Sequence, residues 1–135
     1  MAIVFALIDV DNFDEIRDQY GQIAADSMLS KISDLLRHRL RTEDLRGRMP
    51  GEELILAFRS ESFEAITQMI RRVIEELSSI EFSAGKGNSF FKVSLSGGLA
   101  QCPKDGEAIH EVLTVANRRL LEARAAGPQN FVSTG

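Results

Sequence analysis

The chain is poor in several residue types that would fix a function early. It has one Cys, no Trp, one Tyr and three Pro in 135 residues. A lone Cys102 excludes an internal disulfide framework and a thiolate metal site, and it suits a reducing cytoplasm. Positive charge is also short: 16 Lys and Arg face 20 Asp and Glu, a formal charge of -4. General nucleic-acid binding needs a basic surface to neutralise phosphates, so that class is set aside. Long apolar runs are missing. The opening stretch Ala2 to Ile8 is far shorter than the roughly 20 residues needed to span a bilayer, and no basic segment precedes it as in a signal peptide. The expectation is a cytoplasmic protein with no membrane insertion. His38 and His110 fall at a basic helix end and at a helix start, and they read as surface residues.

What is present suits one domain over 1–135: 44% hydrophobic and 27% charged residues give a real core and a solvated surface. Because the chain opens directly on an apolar strand, it suits a domain drawn from a longer protein. Ala2 to Ile8 is a continuous, β-branched run, the pattern of a central strand covered on both faces. Asp9-Val10-Asp11 ends it, where α/β folds tend to place ligand sites. Two carboxylates two residues apart on a strand face the same way and could share a cation; equally, they could simply end the strand and begin a turn. A short helix over Phe13 to Tyr20 is broken by Gly21. A longer helix follows from about Ala24 to Leu40, with Met28, Leu29, Ile32, Leu35, Leu36 and Leu40 at helical spacing. Arg37, His38, Arg39 and Arg41 close it, where cations suit the helix dipole.

Arg41 to Phe58 then reads as a polar loop, a short strand, a Pro50-Gly51 turn and a second strand, with Glu52 and Glu53 where the second strand begins. Ser60 to Leu77 predicts an amphipathic helix with Phe63, Ile66, Ile70, Val73 and Leu77 inward. Residues 84–89 read as a turn. Phe91, Val93, Leu95 and Leu99 alternate with Lys92, Ser94 and Ser96, predicting a half-buried strand, and Gly97-Gly98 invites a close backbone neighbour. Asp105-Gly106 opens a last helix with Ile109, Val112, Leu113, Ala116, Leu120 and Ala123 inward, stopped by Gly127-Pro128. Phe131-Val132 would be an edge strand. The expected fold is α/β, helices flanking a mixed central sheet.

The hairpin resembles the signature of the GGDEF family, the diguanylate cyclases, with the five-letter motif on Pro50, Gly51, Glu52, Glu53 and Leu54. The resemblance extends along the chain through Ile8 to Phe13, Tyr20-Gly21, Asp26, Ser96 to Ala100 and Ala123 to Gly127, in the family's order. It implies a fold related to the nucleotidyl cyclase and polymerase palm, and condensation of two GTP into cyclic dimeric GMP with Mg²⁺ as the cofactor. By position it places the metal on Asp9, the Val10 carbonyl and Glu52. It gives Glu53 the second acid of the motif, and Asp26, Gly51 and Arg124 the nucleotide.

The departures concern the substrate. Asp14 stands where the family has a phosphate-contacting lysine, and one such reversal beside a triphosphate of about -4 costs several kcal/mol at an effective dielectric near 20. Arg17 replaces a guanine-reading asparagine, but a guanidinium only donates. Pro128 replaces a phosphate arginine. Pro50 replaces the first motif glycine and removes a backbone N–H, although Pro50-Gly51 suits a type II turn. The metal carboxylates survive while much of the substrate grip is gone, so the expectation is a catalytically inactive domain in which Glu53 is vestigial.

Arg41 and Asp44 match the family's RxxD, the inhibitory site that binds the product. A guanidinium can grip guanine O6 and N7 or a phosphate, and a carboxylate accepts from guanine N1 and N2. Arg72, or Arg71 if the register slips, is the expected partner cation. The same Arg41 and Asp44 also read as a surface ion pair at a helix end, worth little. Two further readings stand beside a receptor for cyclic dimeric GMP. One is a weak cyclase or GTP-binding regulatory domain. The other is a scaffold acting through neighbouring domains, a protein partner or a second copy.

Overall fold

A computed structural model of the chain describes residues 2–39, 45–48, 53–60, 62–85, 89–127 and 131–133. The element order is β1 (Ala2–Val10), α1 (Phe13–Tyr20), α2 (Gln22–Arg39), β2 (Leu45–Arg48), β3 (Leu54–Ser60), α3 (Phe63–Ser78), β4 (Phe82–Ser83), β5 (Phe90–Phe91), β6 (Leu95–Cys102), α4 (Ile109–Ala125) and β7 (Phe131–Val132). Five strands form one sheet in the order β2-β3-β1-β6-β7, and β4-β5 is a separate small hairpin. β1 is central, as its apolar run predicts. It pairs antiparallel with β3, Leu7 opposite Ile55, and with β6, Leu7 opposite Gly98. Only β7 joins in parallel, so the sheet is mixed.

Strand alternation divides β1 between two layers. Val4, Ala6, Ile8 and Val10 pack with Met28, Leu29 and Ile32 of α2 and with Ile66, Ile70 and Val73 of α3 in the larger core. Leu7 joins Ala100 with Val112, Ala116 and Leu120 of α4 in a smaller cluster on the other face. Helix α3 begins at Ser62, whose Oγ accepts from the Ala65 N–H at 3.1 Å. That hydroxyl satisfies one of the N–H groups a helix start leaves open. Helix α4 begins at Ile109 rather than at Asp105-Gly106, because Glu111 reaches back to accept from the Ala108 N–H at 3.0 Å.

Two expectations are corrected. The predicted half-buried strand over Phe91 to Leu99 is two strands, and β6 is buried on both faces from Leu95 to Ala100. It lies inside the sheet with helices above and below, so Ser96 is a core residue. Ile109, expected inward, is 62% exposed because α4 has only just begun there. The close approach at the glycine pair does occur. A Cβ added at Gly98 would collide with the Ala116 carbonyl and the Leu120 nitrogen, so α4 sits against the sheet at backbone distance.

Candidate functional site

The chemistry gathers where β1 ends. Asp9 is 2% exposed on the α4 side of the sheet, and Arg124, near the end of α4, donates from Nη1 to its Oδ2 at 2.8 Å. Asp11 is also buried, but its partners are different. Its Oδ2 accepts from Ser94 Oγ and its Oδ1 from Ser96 Oγ, both at 2.7 Å, while its N–H donates to the Ser94 carbonyl at 2.9 Å. The two neighbouring carboxylates therefore do not form one cation site. Asp9 takes a guanidinium, and Asp11 fastens the turn after β1 to β6.

Asn12 follows in the left-handed region at φ 55°, a conformation asparagine tolerates better than most residues. It turns the chain into α1 and lines an open cleft of about 380 Å³ with Asp11, Arg124, Ala125 and Gly127. On α1, Asp14 and Arg17 form an ion pair at 3.0 Å on the surface, and the Arg17 guanidinium lies 5.9 Å from the Phe13 ring centre. Asp26 is exposed one turn into α2 and accepts from Gln22 Nε2 at 2.8 Å. Glu53 directly precedes β3 and lines a second cleft, about 240 Å³, with Leu7, Ile55, Leu113, Thr114 and Asn117.

Asp9 and Arg124 thus meet, Asn12 lines the same cleft as Arg124, and the Val10 side chain packs into the larger core on the other face. Gly51, Glu52, Arg41 and Asp44 lie outside the described residues. Arg71 and Arg72 are exposed on α3, the helix packed on the opposite face of the sheet from α4. The structure does not bring them to Asp9. Of the two carboxylates expected to hold Mg²⁺, Asp9 already faces a cation and Glu52 lies outside the described residues. Among the described residues no group of three or more His, Cys, Asp or Glu side chains gathers as a metal would need.

One functional-looking pair escaped the sequence. Arg119 lies among the inward positions of α4 and donates from Nη1 and Nη2 to the two oxygens of Asp105, each at 3.1 Å, and from Nη1 to the Leu99 carbonyl at 2.8 Å. Burial pushes the Asp105 carboxyl up, but the Arg119 bond, the Gln101 N–H and the charges of Arg119 and Lys104 outweigh it, leaving the group below its ordinary value. The available signal was an arginine at helical spacing with Val112, Ala116 and Ala123, a charge inside an apolar stripe.

A five-stranded sheet centred on an antiparallel β1 thus carries a carboxylate at its end, a turn into a short helix and a cation from the last helix. Residues 1–130 match the family model described as "Diguanylate cyclase, GGDEF domain", and the chain belongs to that family. It is 31% identical over 125 residues to diguanylate cyclase DgcP of Pseudomonas aeruginosa, covering 93% of this chain and 18% of that protein. It overlays diguanylate cyclase SiaD of the same species, solved with its activator SiaC, at TM-score 0.90 and 26% identity, covering 98% of this chain and 50% of that one. The GGDEF domain of DgcB from Caulobacter crescentus, solved with c-di-GMP, shares the fold at TM-score 0.91 and 21% identity, covering 98% of this chain and 77% of that one. The chain spans about a fifth of DgcP. No helix among the described residues is long and apolar enough to cross a membrane.

Proposed function

We propose that this GGDEF domain is a regulatory receptor for cyclic dimeric GMP and not a working cyclase. The observation that carries the first half is the pairing of cations around the end of β1. Arg17 is bonded to Asp14 and Arg124 to Asp9, while Asp11 adds a third carboxylate near the same cleft. A triphosphate entering that cleft meets the Asp11 carboxylate and an Arg124 that already holds Asp9. Each unit of unfavourable charge at about 4 Å is worth about 4 kcal/mol at an effective dielectric of 20, less where water screens it. Weak GTP affinity and little or no turnover follow.

The second half rests on the guanine-reading chemistry of Arg41 and Asp44 and on the position of Arg72. That arginine is exposed on the side of the sheet away from Asp9, so a ligand could occupy it without meeting the acids of the cleft. The DgcB domain, alike in fold, was solved with the same dinucleotide, which supports the choice of ligand. Binding would act on neighbouring domains, on a protein partner, as SiaD has in SiaC, or on a second copy of the chain.

Calorimetric titration with cyclic dimeric GMP tests this directly. Saturable binding is expected, weakened at least about tenfold by Arg41→Ala or Arg72→Ala, as for loss of a charged hydrogen-bond donor. Parallel incubation with GTP and Mg²⁺ is expected to yield no cyclic dinucleotide. Product formation that disappears in Glu52→Ala would make the domain an enzyme, and absence of dinucleotide binding would remove the receptor.

A further inference from the structure

We propose that Arg124 is the resident counterion of Asp9: it holds the place a divalent cation would take, and the domain is closed to divalent metal while that bond stands. Asp9 is 2% exposed, whereas the Arg124 side chain is 43% exposed. The carboxylate is fixed inside the sheet, and the cation reaches it from the rim. A carboxylate withdrawn from water requires compensation by a charged or hydrogen-bonding partner, and here the 2.8 Å contact supplies it at the distance of a charge-assisted bond.

A divalent ion cannot simply be added to this arrangement. Mg²⁺ binds carboxylate oxygen at about 2.0–2.1 Å and gives up its water reluctantly. A guanidinium facing the same carboxylate oxygen would stand within a few Å of it and repel it. Metal binding therefore includes the cost of expelling Arg124. There is room for the expelled side chain, because Arg124 lines the open cleft of about 380 Å³ with Asn12 and Gly127. The neighbouring Asp11 is already engaged at both oxygens, by Ser94 and Ser96, which tie it to the start of β6. This inference is independent of which nucleotide the domain binds, and a metal ion alone probes it.

The probe is Mn²⁺, followed by electron paramagnetic resonance and calorimetry on the chain without nucleotide. The wild type is expected to show no saturable binding below about 1 mM, the range of weak carboxylate sites. Arg124→Gln is expected to bind Mn²⁺ at least about tenfold more tightly, a change of the size seen when the partners of a metal ligand are altered. Arg124→Lys keeps the cation and should behave as wild type. Adding Asp9→Asn to Arg124→Gln should abolish the gain. Equal affinity in wild type and Arg124→Gln, or a gain that survives Asp9→Asn, overturns the proposal. Should Arg124→Gln fail to fold, the wild type decides alone. A melting temperature unmoved by MnCl₂ supports the closed site, and a rise that Asp9→Asn lacks overturns it.

Discussion

Helix α4 carries three arginines: Arg118 pairs along the helix with Glu122, whereas Arg119 and Arg124 each reach a carboxylate outside it, and those two pairs are built for different purposes. Arg119 and Asp105 are 6% and 14% exposed, joined by two bonds of 3.1 Å, with a third bond to the Leu99 carbonyl. Arg124 reaches the buried Asp9 from Nη1 at 2.8 Å while its own side chain is 43% exposed. The first pair ties the turn after β6 to the body of α4, and its several bonds leave the guanidinium nowhere else to go. The second has a fixed acid and an arginine with solvent on one side, the arrangement of a contact that can be exchanged for another ion.

The largest effect should come from breaking the closed pair. Arg119→Met strands Asp105 in a largely buried place, and removing one partner of such a pair costs about 3–5 kcal/mol. Urea unfolding measures it. Replacing both members with apolar side chains of similar volume should recover most of the loss, because the penalty belongs to the uncompensated charge rather than to the missing bond. A single variant that loses less than about 1 kcal/mol would place the pair among ordinary surface contacts, against its burial.

Acid provides the next test. The Asp105 carboxyl lies below its ordinary value in the folded protein: burial raises it, but the Arg119 bond, the Gln101 N–H and nearby positive charge lower it further. A group lowered on folding contributes stability that is complete above its unfolded value, about 3.9 for Asp, and is lost as pH falls through the folded one. Wild type should therefore weaken as pH drops from about 5 towards 3. In Arg119→Met the carboxyl keeps its burial but loses its cation, so protonation relieves it. The stability gap between the two proteins should narrow over that range. A gap that stays constant with pH would mean that Arg119 acts through packing alone.

The contrast also marks what could be read before the fold was known. The apolar run of β1 and the spacing of Met28, Leu29 and Ile32 in α2, or of Ile66, Ile70 and Val73 in α3, declare themselves locally, because burial repeats with the period of the element. Ser94 and Ser96 mislead for the same reason. Alternating with Val93 and Leu95 they look solvent-facing, yet Ser96 is fully buried, and their hydroxyls serve Asp11, 83 and 85 residues earlier. Asp9 was legible as a candidate from its place at a strand end. Its pairing was not, since Arg124 is 115 residues away and only closure of the sheet brings α4 over β1. The roles expected of Asp26, Glu52 and Arg41 came from family resemblance, which no local pattern could have supplied.

The smallest effect on stability should come from the open pair, and its smallness is informative. Arg124→Gln removes the cation and ends about two bonds short of Asp9, but water can reach the open side of the contact, so the expected cost is below that of Arg119→Met, about 1–3 kcal/mol. Salt separates the pairs further. At about 0.5 M NaCl, where the screening length is only a few Å, the Arg124→Gln penalty should shrink, while the Arg119→Met penalty, shielded from ions by burial, should hold. Urea midpoints of both variants at low and high salt give the measurement. If Arg124→Gln proved as costly as Arg119→Met and as indifferent to salt, Arg124 would be a fixed part of the core, and a metal ion could not displace it from Asp9.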